Sequence, residues 1–157
     1  MVIRPLVFQD IPKILRLIEG TGTFNEMEIQ VAAEVIDDAL RHPEKSDYHI
    51  FCAVDASDSP NGYICFGPIP LTENRYDLYW IAVDETASRK GVGGKLLEFM
   101  EANLLKKGAK RVYVDTSSTP PYKAARAFYE KHGYQLVCAL DDFYREGDHK
   151  MIFMKEL

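Results

Sequence analysis

The sequence has little cysteine, no long apolar run and no cluster of charge of one sign, and each shortage removes a class of function. Its three cysteines, Cys52, Cys65 and Cys138, are odd in number and show no C-x-x-C spacing. They suggest neither a disulfide framework nor a zinc site. Because each lies in an apolar segment, all three are read as small buried hydrophobes. No stretch is apolar enough to span a bilayer, so no membrane partner is expected. Arg4, Asp10, Lys13, Arg16 and Glu19 interrupt the first twenty residues. No secretory leader is expected there, which makes the cytoplasm the expected location. The net charge is −5, with Lys and Arg scattered along the chain. That distribution speaks against nucleic acid as a main partner, while an acidic surface suits a cationic substrate.

What is present fits one globular domain over residues 1–157, long enough to bury a core without staples. Val2 to Pro5 reads as a first strand. Asp10 is expected to cap a helix with Pro12 in its first turn and Ile11, Ile14, Leu15 and Ile18 on its apolar face. A second helix starts near Asn25, turns Val31, Ala32, Val35, Ile36 and Ala39 inward, and is closed by Pro43. Three strands follow at His49 to Val54, Gly62 to Phe66 and Arg75 to Val83, the first two forming an antiparallel hairpin. After a Gly-rich segment, Leu96, Leu97, Met100 and Leu104 mark a third helix ended by Gly108. Arg111 to Thr116 is the next strand, a parallel neighbour of Arg75 to Val83 through a right-handed crossover. A fourth helix runs from about Pro121 to His132 and stops at Gly133. Strands Tyr134 to Ala139 and Lys150 to Lys155 flank a turn at Glu146-Gly147-Asp148. The expected fold is α/β (α+β): one mixed, mostly antiparallel sheet of six to seven strands, with a central parallel pair and helices on both faces.

The segment Ser88-Arg89-Lys90-Gly91-Val92-Gly93-Gly94-Lys95 joins a strand to a helix, which is a general device for holding phosphate. Glycine lets the backbone approach an anion, and the helix start offers free N–H groups and positive potential. A nucleoside-triphosphate loop needs Gly-Lys-Ser/Thr with a glycine five positions earlier. Here Leu96 follows Gly94-Lys95, and the earlier place holds Arg89. A dinucleotide fingerprint fails at its third glycine, which is Leu96, and no acidic ribose ligand lies near Arg111.

Val83-Asp84, a short turn and then Arg89-Lys90-Gly91-Val92-Gly93-Gly94 resembles the acetyl-CoA motif of the GNAT N-acetyltransferase superfamily. The family's Gln or Arg at the first motif position is Ser88 here. Grip is therefore expected from backbone amides first, with Arg89 and Lys90 supplying positive charge. Ala125 to Tyr134 resembles the family's second motif, Tyr-x-x-x-Gly-Phe/Tyr, with Tyr129, Gly133 and Tyr134 in those places. Tyr122 stands where many members carry asparagine. Gly62 to Pro68, Asp77 to Val83 and Asp142-Phe143-Tyr144 resemble an uncharacterised bacterial subgroup that brings no agreed substrate.

The resemblance implies acetyl-CoA (coenzyme A) as cofactor, lying where the two parallel strands splay, between Ile81 to Val83 and Val112 to Thr116. Backbone at Ile81, Ala82 and Val83 would bind the thioester and pantetheine. The turn from Ser88 to Lys95 would hold the pyrophosphate, and Thr116, Tyr122, Ala125, Phe128 and Tyr129 would line the rest; Phe128 also reads simply as core. Tyr129 is implied as the acid that protonates the leaving sulfur. Asp77, one methylene shorter than the family's glutamate, is implied as the base through a relaying water. Asp77, Tyr79, Ile81 and Val83 are expected on one strand face, with Tyr79, Glu26, Asp142 and Tyr144 bordering the acceptor. His49, His132 and His149 have plainer roles at element ends. The expected activity is N-acetyl transfer to an amine of a small molecule or peptide in a ternary complex, by a monomer or homodimer. A non-catalytic acyl-CoA-binding module and a longer acyl donor remain alternatives.

Overall fold

The computed structural model describes residues 1–88 and 90–157, with the side chains of Thr86 and Ser88 left aside. The elements are β1 (Val2–Pro5), α1 (Ile11–Gly20), α2 (Glu26–Arg41), β2 (His49–Val54), β3 (Pro60–Pro68), β4 (Arg75–Val83), a four-residue α3 (Glu85–Ser88), α4 (Val92–Lys106), β5 (Arg111–Ser117), α5 (Lys123–Lys131), β6 (Gln135–Arg145) and β7 (Asp148–Glu156). They form one seven-stranded sheet in the order β1-β2-β3-β4-β5-β7-β6. Every pairing is antiparallel except β4 with β5. Among the described residues no helix is long and apolar enough to cross a membrane.

The sheet carries a core on each face, because strand side chains alternate between faces and each face must be covered. On one side α1 and α2 bury Ile14, Ile18, Ala32 and Ile36 against Cys52, Tyr63 and Cys65. On the other, Leu96, Leu97, Met100 and Leu104 of α4 pack on Ile64, Phe66, Val112, Val114 and Phe153. α2 opens with a reciprocal cap: the Asn25 side chain accepts from the Glu28 N–H at 2.9 Å, and Glu28 accepts from the Asn25 N–H at 2.7 Å.

Several expectations need correction. Val31 is exposed, since the inward stripe of α2 runs through Ala32, Val35, Ile36 and Ala39 without it. Cys138 is exposed as well, because β6 is the outermost strand and every one of its eleven residues is solvent-accessible. β6 and β7 continue to Arg145 and from Asp148, so Asp142 and Tyr144 lie within β6 and not in a loop. Asp10 makes no cap bond to α1. It is 5% exposed and accepts instead from Arg4 Nη1 at 2.7 Å, Arg4 Nη2 at 3.1 Å and the Val7 N–H at 2.9 Å. That pair ties β1 to the entry of α1.

The feature that shapes the site is an irregularity in β4. Cys65 pairs with Trp80 and Phe66 with Leu78, so Tyr79 has no partner across β3. An extra residue of this kind bends a strand and increases its twist. It also breaks the face alternation. Tyr76, Leu78, Ile81 and Val83 belong to the α4 core, whereas Trp80 and Ala82 belong to the α1–α2 core. The expected single face for Asp77, Tyr79, Ile81 and Val83 is therefore wrong, with Asp77 facing the other side from Ile81 and Val83. The parallel pairing covers only Arg75–Arg111, Tyr76–Val112 and Asp77–Tyr113. Beyond it the two strands separate, two residues later on β5 than expected because Val112 and Tyr113 are still paired.

Burial pushes the Asp10 carboxyl up, but its hydrogen bonds from Arg4 and Val7 and the Arg4 charge outweigh that and hold it below the usual range. Its contribution to stability is thus present above the unfolded value of about 3.9 and is lost as pH falls through the folded value. Asp10→Ala should cost about 1–3 kcal/mol in urea denaturation at pH 7, by leaving the Val7 N–H unpaired and Arg4 with Asp58 and the Pro5 carbonyl as its remaining oxygen partners. The gap to wild type should narrow once the pH falls below the native value.

Candidate active site

The opening between β4 and β5 widens into a cleft of about 600 Å³. Ile81, Ala82 and Val83 of β4 form one wall, and Asp115 and Thr116 of β5 the other. The start of α4 (Gly91, Gly93, Gly94, Lys95) closes one end. Ala125, Phe128, Tyr129 and His132 of α5 run along the side, and Thr21, Thr23 and Phe24 of the α1–α2 loop stand at the far end with Tyr79 and Trp80.

The phosphate-like end has the expected chemistry. Gly91 is left-handed, φ +74°, at the N-cap of α4 and provides no side-chain cap. The first loop-to-helix bond of that turn is Lys95 N–H to Gly91 O at 3.2 Å, so the N–H groups of residues 92–94 have no partner within the helix. Gly93 and Gly94 serve a second purpose. A methyl group at Gly93 would come within 3.3 Å of the Phe128 ring, and at Gly94 within 2.8 Å of His132. Their lack of a side chain lets α5 lie against the start of α4, bringing Tyr129 beside the cleft. Val92 faces inward, at 4% exposure, and Lys90 is exposed; neither lines the cleft. Arg89 and the side chain of Ser88, both expected here, lie outside what the structure describes.

Tyr129 is 7% exposed and packs among Phe128, Tyr134 and Phe153, with ring centroids 5.7, 6.0 and 6.1 Å away. Burial pushes its phenol pKa up, so at neutral pH it holds a proton at the cleft wall. Phe128, half-buried, both packs on the α4 core and lines the cleft. Thr116 is 5% exposed and lines the cleft, yet its hydroxyl has no hydrogen-bond partner among the described residues. A buried unpaired hydroxyl costs free energy, which makes it a fixed polar contact for a polar chain laid in the cleft. With the free α4 amides, it fits a ligand carrying phosphate at one end and amide groups along its length.

Tyr122 lines the cleft and donates to Glu28 Oε1 at 3.1 Å, which ties the entry of α5 to α2. Tyr79, also in the lining, has its phenol pushed up to about 12 by burial and by Asp77. Asp77 lies outside the main cleft, in an adjoining depression with Tyr113, Asp115 and Lys150. Asp115 borders both cavities, and its Oδ2 is 2.6 Å from Lys150 Nζ. Half-burial, and then the Asp115 charge, push Asp77 up to about 6 against the opposing Lys150. Glu26 is exposed on the first turn of α2, outside the lining. Asp142, at φ +52°, accepts from the Gly147 N–H at 2.8 Å and shapes the β6–β7 turn. Tyr144 is exposed beside Phe143 and outside the lining. Thr21, Thr23, Phe24, Trp80 and Asp115 are cleft residues that sequence reasoning missed. The aromatic Trp80 beside Tyr79 was a signal, but its facing depends on the strand irregularity.

A strand-splayed cleft with a glycine-capped phosphate end and a buried tyrosine defines an acyltransferase that uses a nucleotide-tailed carrier. The chain belongs to the acetyltransferase (GNAT) family, whose model matches residues 13–134. It thereby carries an acetyl-CoA-dependent N-acetyltransferase domain. A Desulfovibrio desulfuricans structure assigned to the same family is 36% identical, with TM-score 0.94, over 99% of this chain and 98% of that one. The PaiA N-acetyltransferase of Thermoplasma acidophilum, solved with coenzyme A, shares the fold at 19% identity and TM-score 0.76, over 99% and 98%. The S-(2-succino)cysteine N-acetyltransferase of Bacillus subtilis is 32% identical over 57 residues, a match spanning 36% of this chain and 34% of that protein.

Two outcomes follow from these environments. Thr116→Val should weaken acetyl-CoA binding about 3–10-fold in calorimetry, the loss of one neutral hydrogen bond, without lowering the melting temperature. Asp77 binds its proton more tightly folded than unfolded, so its ionisation costs stability as pH rises from about 3.9 towards 6. Asp77→Asn should then be more stable than wild type by ~1 kcal/mol at pH 7.5, after allowance for its exposure, and equal to it at pH 4.

Proposed function

We propose that the protein acetylates a primary amine of a small molecule or peptide by direct transfer within a ternary complex. The observation that carries this reading is continuity: one cleft runs from the free amides of α4, past Tyr129, to the α1–α2 loop, Tyr79 and Trp80. A donor and an acceptor meeting in one continuous cleft can react directly, which requires no covalent acyl-enzyme.

Bound acetyl-CoA supplies the activated thioester, and the chain supplies position and protons. Main-chain groups of residues 81–83 on the open side of β4 have no strand partner and are free to hold the carrier and polarise its carbonyl. The Tyr129 hydroxyl holds the proton destined for the departing sulfur. Asp77, outside the cleft proper, takes the proton of the attacking amine through water bordering Asp115. Its raised pKa suits that task, since a base works best when its pKa lies close to the working pH.

Tyr129→Phe should lower kcat about 10²–10³-fold while leaving the acetyl-CoA dissociation constant within about 3-fold. Unchanged turnover would remove the acid role. For the base, wild-type kcat/KM should rise through pH 6 as Asp77 loses its proton and level off above about 7. Asp77→Asn should lose most activity together with that acidic limb; an identical profile would move the base elsewhere.

A further inference from the structure

The acceptor end of the cleft is aromatic, and its charges are already paired. Phe24 and Trp80 stand with ring centroids 5.3 Å apart, tilted by 52°, beside Tyr79 and Tyr122. The displaced register at Tyr79 turns Trp80 to this side. Of the two acids in the described lining, Glu98 is exposed on α4 with the carrier end, and Asp115, at this end, is held by Lys150 at 2.6 Å. The nearby Glu28 has both oxygens engaged, by the Tyr122 hydroxyl and by the Asn25 N–H. The cations of the lining, Lys95 and Lys131, stand with α4 and the end of α5, away from the α1–α2 loop.

From this we infer that the acceptor is a primary monoamine on an apolar or aromatic body, without a carboxylate or phosphate next to the nitrogen. The inference rests on the acetyltransferase reading and narrows its substrate. A polyamine or aminoglycoside needs several unpaired carboxylates to replace its hydration, and the described residues of the acceptor end offer none. An amino acid needs a cation for its carboxylate, and among the described residues none stands there. A single ammonium is drawn to the open faces of Phe24, Trp80 and Tyr79 and to the net field of Asp77 and Asp115. The apolar body fills the aromatic walls. The bound ammonium first releases one proton to solvent, and the neutral amine's N–C bond then forms as the C–S bond breaks. The nitrogen's remaining extra proton leaves towards Asp77, and the thiolate takes one from Tyr129, which solvent reprotonates.

The test compares phenethylamine, phenylalanine, spermidine and kanamycin as acceptors for the full chain, with acetyl-CoA binding measured in parallel. Phenethylamine should exceed each of the others at least 10-fold in kcat/KM. Trp80→Ala should raise the phenethylamine KM at least 10-fold with acetyl-CoA affinity unchanged. Thr23→Arg, a loop substitution that leaves both cores alone, should shift preference towards phenylalanine at least 5-fold by supplying the missing cation. Preference for spermidine or kanamycin, or acetyl-CoA binding with none of the four amines acetylated, overturns the inference and leaves the family chemistry standing. Absence of acetyl-CoA binding by wild type overturns the function proposed above as well.

Discussion

β4 and β5 stay paired for three residues and then part, and the site depends on that separation. A parallel pair zipped along its whole length would use its main-chain groups on each other and leave no space. The extra residue at Tyr79 prevents this, because β4 keeps its partnership with β3 on one side while bending away from β5 on the other. The same displacement exchanges faces: Ile81 and Val83 join the α4 core, and Trp80 turns towards α1 and α2. One irregularity thus makes both the opening and the difference between its two ends.

A second close approach fixes what the opening contains. α5 touches the start of α4 through Phe128 over Gly93 and His132 over Gly94. Tyr129, between those two contacts in sequence, is held in the cleft wall by the packing that also shapes the phosphate end. At the other end of α5, Arg126 donates to the carbonyls of Ser117 and Thr119 at 2.6 and 3.0 Å, while Ser117 also bonds the buried Asp148. The helix is therefore pinned to the end of β5 as well as to α4. These contacts hold the Tyr129 side chain between the two elements. That is the kind of preorganisation that acid catalysis needs.

What could be read from the sequence follows from what is local. Element order, the α4 stripe Leu96, Leu97, Met100 and Leu104, and the stop at Gly133 (φ +86°) are short-range patterns and appear where the spacing puts them. Most of the residues expected to hold the cofactor also line the cleft, because a strand–turn–helix segment carries its own geometry. The misreadings depend on long-range partners. Asp10 looked like a cap because the sequence does not show that Arg4 and Cys52, from two different strands, converge on it. Cys138 looked buried because an apolar strand reads alike at the centre and the edge of a sheet. Asp77 was assigned to the wrong face since period-two counting fails across an unpaired residue. Glu26, Asp142 and Tyr144, expected beside the acceptor by charge and position, lie outside the described cleft lining, to which the α1–α2 loop and Trp80 contribute instead.

The two ends of the cleft recognise their ligands by different means, and this bears on how the fold can change substrate. The carrier's end is main chain: free α4 amides, the open side of β4, and glycines whose absent side chains admit α5. The end proposed for the acceptor is side chain, on a loop and on β4: Thr23, Phe24, Tyr79 and Trp80. The core beneath it, α1 and α2 on β2 and β3, is separate from the α4 core that supports the donor. Loop residues can therefore be exchanged without disturbing the phosphate end or Tyr129. On the proposed reading, a main-chain site would keep the carrier, while the side-chain end would select which amine reaches it.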